Sequence, residues 1–142
     1  MASNNGKRLF LDTNIIIDVI AKRKGYADSL QIMRYCETNH ADGFISAISV
    51  TDVMYILRKY ITPNAVRGAV QTLLAIVHLT DVRKGDILTA FSGNMKDFED
   101  AVQASCARRI QADYIVTHNI RDFTESAIPA ILPSDVVKLL RG

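Results

Sequence analysis

Apolar residues along the chain fall in short blocks separated by longer stretches of helical periodicity. Residues 8–12 (RLFLD) are apolar through Leu9, Phe10 and Leu11, which predicts a short strand buried on both faces. The block ends in Asp-Thr-Asn, and Ile15, Ile16, Ile17, Val19 and Ile20 then predict a helix capped by Thr13 or Asn14. A second helix is predicted over residues 26–38, with Leu30, Ile32, Met33 and Tyr35 on its apolar side. Gly43 opens a second strand, GFISA. Ser49 or Thr51 is placed to cap a third helix, with Val50, Val53, Met54, Ile56, Leu57 and Ile61 at helical spacing.

Pro63 suits the first position of a fourth helix running through Leu73, Leu74 and Val77. A third strand is predicted at HLTDV (78–82), a short helix over 86–91, a Ser-Gly-Asn loop, and a longer helix over 97–110. The sequence YIVT (114–117) predicts a fourth strand, residues 130–132 a fifth, and Pro133-Ser134-Asp135 opens a last helix. Strands alternating with helices predict an α/β fold with a parallel sheet and helices on both faces. In such sheets the functional crevice lies beyond the carboxyl ends of the strands.

That expectation gives the acidic residues their interest. Asp12 closes the first strand, Asp52 is expected in the first turn of the helix after the second, and Asp122 follows the fourth. Asp97 and Asp100, three residues apart at a helix start, project from one face. Taken singly, Asp52, Asp97 and Asp100 have a simpler explanation in helix capping and the dipole, and Asp122 in turn chemistry. Asp12 has little structural reason to close an apolar strand. Together, converging carboxylates repel and require protons or a cation. An all-oxygen donor set without His or Cys favours magnesium or manganese, and such an ion suits metal-assisted hydrolysis of a phosphodiester.

Bulk composition narrows the picture modestly. The 142 residues suit one domain at 7–142 behind a loose tail at 1–6. The polar N-terminus lacks a secretion signal and no segment is long and apolar enough to span a bilayer, which predicts a cytoplasmic protein with no membrane partner. Cys36 and Cys106 have no zinc-ligand spacing and are expected as reduced core thiols. The net charge of +2 neither demands nor excludes nucleic acid. Basic residues available to guide a polyanion are Lys22, Arg23, Lys24, Arg58, Lys59, Arg108, Arg109 and Arg121, with Arg121 beside Asp122 the best candidate for a phosphate contact. Clusters of this kind are more often solvated helix ends. A lone His118 is more often a bystander than a base.

The segments LDTNIIIDV (11–19), ISVTDVMYILRK (48–59), DFEDAVQASCA (97–107), YIVTHNIRDF (114–123) and IPAILPSDVVKLL (128–140) resemble, in order, those of the PIN-domain ribonucleases, including toxins of type II toxin–antitoxin pairs. The resemblance covers nearly the whole chain. It implies a three-layer α/β/α sandwich around a parallel sheet of about four or five strands, and a Mg2+- or Mn2+-dependent nuclease acting on RNA. It also implies a small antitoxin partner and a homodimer. Carried over, Asp12, Asp52, Asp100 and Asp122 are the catalytic acids, with Asp12, Asp100 and Asp122 on the metal and Asp97 supporting them. Thr117 and Asn119 match a polar pair beside the fourth acid, and Asn14 is expected to hydrogen-bond Asp12. Asp52 stands where the family commonly has Glu, a shortening by one methylene. That departure leaves a competing reading, a PIN-like RNA- or protein-binding module with weak or no turnover. A phosphoacceptor receiver domain is disfavoured, because no suitable Lys follows YIVT.

Overall fold

The computed structural model describes residues 6–141. Of the tail expected at 1–6, only Gly6 falls among them. Five strands form one all-parallel sheet: β1 (Lys7–Leu11), β2 (Ala41–Ser46), β3 (His78–Thr80), β4 (Tyr114–Val116) and β5 (Ala130–Ile131), in the order β3-β2-β1-β4-β5. Among the described residues the connections carry α1 (Thr13–Ala21), α2 (Tyr26–Glu37), α3 (Ala47–Leu57), α4 (Pro63–Leu74), α5 (Lys84–Ser92) and α6 (Phe98–Arg109). A 3-10 turn at Ile120–Phe123 follows β4, and α7 (Pro133–Arg141) follows β5.

Strand alternation explains the layers. Successive side chains of a strand point to opposite faces, so Leu9 and Leu11 join one core while Phe10 joins another. The first core packs Ile45 and Val116 against Ile15, Ile32, Val53, Val70 and Val136 of α1, α2, α3, α4 and α7. The second sets Phe44 and Ile115 against Ala90 of α5 and Val102, Cys106 and Ala107 of α6. With both faces covered, the strands read as continuous apolar runs. The sandwich expected from the sequence is the one observed. Gly43 belongs to this packing, because a Cβ there would stand 2.8 Å from Cys36 Sγ and 2.9 Å from Val77 Cγ1.

Two helix starts differ from expectation, and both bear on the site. The cap of α1 is Asp12, whose Oδ1 accepts the Thr13 N–H at 2.8 Å, rather than Thr13 or Asn14. Asp12 therefore does have a structural role at the end of β1. The cap of α3 is Ser46, which accepts the Ser49 N–H at 3.2 Å, instead of Ser49 or Thr51. The last residue of β2 thus starts the helix, and Asp52 lies in the second turn, where neither capping nor a first-turn dipole contact accounts for it. Cys36 and Cys106 are buried free thiols, each pushed up to about 12, chiefly by burial. Among the described residues no helix is long and apolar enough to cross a membrane.

Candidate active site

Strand order reverses direction at β1: the chain moves first towards β2 and β3, later towards β4 and β5. This is the switch point at which doubly wound sheets open a crevice. Asp12 sits there, its N–H donating to Val116 O at 3.0 Å across the β1–β4 junction. It is 8% exposed, with Oδ2 accepting the Thr117 hydroxyl at 2.8 Å. Burial raises its pKa; the Thr117 and Thr13 hydrogen bonds and the charge of His118 oppose that shift, while Asp122 adds to it. The buried Thr117 hydroxyl also accepts the Asn119 N–H at 3.0 Å, tying the loop after β4 to Asp12.

A cleft of about 280 Å³ opens above Asp12. Six carboxylates line it: Asp12, Asp52, Asp97, Glu99, Asp100 and Asp122, with Asn14 and Asn119 at its edge. They arrive from the end of β1, the second turn of α3, the start of α6 and the 3-10 turn. Asp97 caps α6 by accepting the Asp100 N–H at 2.8 Å, so capping and cleft lining fall on the same residue. The Asp122 N–H donates to Asn119 O at 3.0 Å, and buried Phe123 anchors the turn in the second core.

Electrostatics register the crowding. Partial burial, followed by the charges of Asp97, Asp12 and Asp122, raises Asp100 to about 7. Glu99 is likewise raised to about 7, by burial first, then by the neighbouring carboxyl of Asp52 and the charges of Asp97 and Asp100. The three-residue spacing of Asp97 and Asp100 gives no sign of Glu99, which lies between them in sequence and lines the same cleft. The donor set, all carboxylate with amide and hydroxyl neighbours, fits a hard divalent cation. Among the described residues, however, no three candidate ligands are already gathered around a common point. Carboxylates that repel one another line the cleft openly rather than forming a closed cage.

A buried polar cluster beneath the cleft fixes its walls relative to one another. The hydroxyls of Thr13 and Ser49 are 2.8 Å apart, and Gln103 Nε2 donates to Ser49 Oγ at 2.9 Å. These residues belong to α1, α3 and α6, the elements that carry Asp12, Asp52 and Asp100. The sequence signal for Gln103 was slight: one polar side chain inside the small-residue run of α6. A second cluster corrects one expectation. Asn14 Oδ1 accepts from Arg23 at 3.3 Å and does not bond to Asp12. Buried Asp18 pairs with Arg23 at 2.8 Å and with His118, so the latter steadies the loop after β4 against α1. Arg109 is likewise engaged in ion pairs, with Asp86 at 2.8 Å and Asp81 at 3.2 Å. Arg121 is exposed beside Asp122.

The PIN-domain family model matches residues 8–121, and the chain belongs to that family, whose members are in general nucleases that use divalent metal ions. Solved structures share the fold at low sequence identity. VapBC2 from Rickettsia felis, bound to a DNA fragment from its promoter, is 18% identical with a TM-score of 0.68, over 88% of this chain and 98% of that one. A toxin–antitoxin complex from Klebsiella pneumoniae is 21% identical with a TM-score of 0.65, over 88% and 97%. The sarcin–ricin loop cleaving toxin VapC20 of Mycobacterium tuberculosis is 15% identical with a TM-score of 0.60, over 75% and 86%. No curated protein sequence matches the chain.

Proposed function

We propose that this chain is a Mg2+- or Mn2+-dependent endoribonuclease and the toxin of a toxin–antitoxin pair. The observation that carries the reading is the convergence of six carboxylates from four parts of the chain on one cleft at the sheet's switch point. Asp12, Asp100 and Asp122 would hold the ion, with Asp97 in support. An ion bound there would offset charge on the phosphate and make water a stronger nucleophile at neutral pH. Thr117 keeps Asp12 oriented through its hydroxyl and fixes Asn119 through the same oxygen. Glu99 weighs against the competing reading of a weak or inactive module. Asp52 is one methylene short, and Glu99, which lines the same cleft, brings a longer carboxylate to that corner.

The similar folds in solved toxin–antitoxin complexes support an antitoxin partner, and the similar fold of a sarcin–ricin loop cleaving toxin supports RNA as substrate. A homodimer belongs to the same reading. The test uses protein freed of any co-purifying antitoxin and several synthetic RNAs. Cleavage that needs Mg2+ or Mn2+ and disappears in Asp12→Asn is expected. RNA left intact with both ions across all substrates refutes the proposal.

A further inference from the structure

A second cavity, of about 490 Å³, adjoins the acidic cleft and shares Asp97, Asp100 and Asp122 with it. Its volume lies in the range of small-ligand pockets. Its walls also carry two cations, Lys96 and Arg121, each directly preceding a cleft acid in sequence. Carboxylates stand on the same walls, yet among the described residues neither cation's side chain makes an ion pair or a hydrogen bond. Every ion pair formed elsewhere engages other residues, from Arg23 with Asp18 to Arg109 with Asp86. Two exposed cations are thus left free at the mouth of a site whose own charge repels a polyanion.

We propose that Lys96 and Arg121 form a phosphate-binding subsite, which holds the RNA backbone one step along from the bond to be cut. The inference rests on the nuclease reading for its ligand. The physical need is direct: six carboxylates oppose the approach of RNA, and cations within a screening length offset that repulsion. A planar guanidinium can engage two phosphate oxygens, while an ammonium acts as a point charge. Such contacts position the strand and carry no base preference. The subsite therefore sets register and affinity, and leaves sequence choice to other surfaces.

The test is fluorescence anisotropy of a labelled single-stranded RNA oligonucleotide in EDTA, with KCl varied from about 50 to 200 mM. Each lost phosphate contact flattens the plot of log affinity against log salt by about 0.7 for a single strand. Lys96→Ala and Arg121→Ala are each expected to do so, Lys96→Arg to restore the wild-type slope, and Lys138→Ala on α7 to leave it unchanged. With Mg2+ or Mn2+, Lys96→Ala should raise KM several-fold with kcat little altered. Unchanged slopes in both alanine variants overturn the subsite, even if the wild type cleaves RNA. Flattened slopes in a protein that cuts no RNA uphold the subsite and remove only the nuclease reading.

Discussion

Asp100→Asn should stabilise the metal-free protein, because the charge it removes is one the fold tolerates poorly. The Asp100 pKa is raised from its ordinary 3.8 to about 7 by burial and by Asp97, Asp12 and Asp122. A rise of that size corresponds to an upper bound of about 4 kcal/mol of destabilisation by the ionised form. Asp100 is only partly buried, so solvent screens part of the repulsion and about 2 kcal/mol is the working figure. The sign follows from linkage. Between about pH 4 and pH 7 the native state binds the extra proton, so stability falls as pH rises through that window. The Asp100 carboxylate makes no hydrogen bond among the described residues, and its N–H contact with Asp97 survives the substitution. Urea or thermal unfolding in EDTA at pH 8 should therefore place the variant about 6 °C above the wild type. At pH 4 the two should coincide. A variant no more stable at pH 8, or an advantage that persists at pH 4, refutes the reasoning.

Other parts of the structure carry outcomes of their own. Glu99→Gln should lower the affinity for Mn2+ roughly 10-fold or more, and adding Asp52→Glu to it should recover most of the loss; calorimetric titration of both variants checks this. Burial works against ionisation of Asp86, but hydrogen bonds from Arg109, the Arg83 N–H and Ser105 outweigh it and bring the carboxyl down to about 2. Its stabilising contribution of about 2 kcal/mol is present above pH 3.8 and lost as pH falls towards 2, whereas Arg109→Met should cost about 3–5 kcal/mol at neutral pH by leaving the buried Asp86 carboxylate without its cation. Chemical denaturation over pH 2–7 reads both effects. Gly43→Ala should cost about 1–3 kcal/mol through overpacking against Cys36 and Val77, measured by the same denaturation.

The layers were legible because each strand is sandwiched, so RLFL, GFIS and YIV stand out as apolar blocks between helical periodicities. Helix starts were less so. In the stretch ISAISVT, Ser46, Ser49 and Thr51 have similar capping chemistry, and only the end of β2 selects Ser46. That choice moves Asp52 out of the first turn and removes its simplest structural explanation. For Asp12 the change ran the other way, since the residue that closes β1 also caps α1. Long-range partners left almost no trace. Asp18 on α1 meets His118 in the loop after β4, Asp86 meets Arg109 between α5 and α6, and Gln103 meets Thr13 and Ser49 from a third helix. Each is a polar residue whose partner is set by tertiary packing, and spacing rules along one helix do not reach it. Glu99 was hidden differently. The spacing that made Asp97 and Asp100 a pair drew attention away from the acid between them, which turns instead towards Asp52.

The central claim is that these carboxylates constitute a divalent-metal site, and Mn2+ titration by calorimetry at pH 8 tests it most directly. The wild type should bind Mn2+ saturably, with the heat strongly reduced in both Asp12→Asn and Asp100→Asn. No binding by the wild type, or binding that both substitutions leave intact, contradicts it.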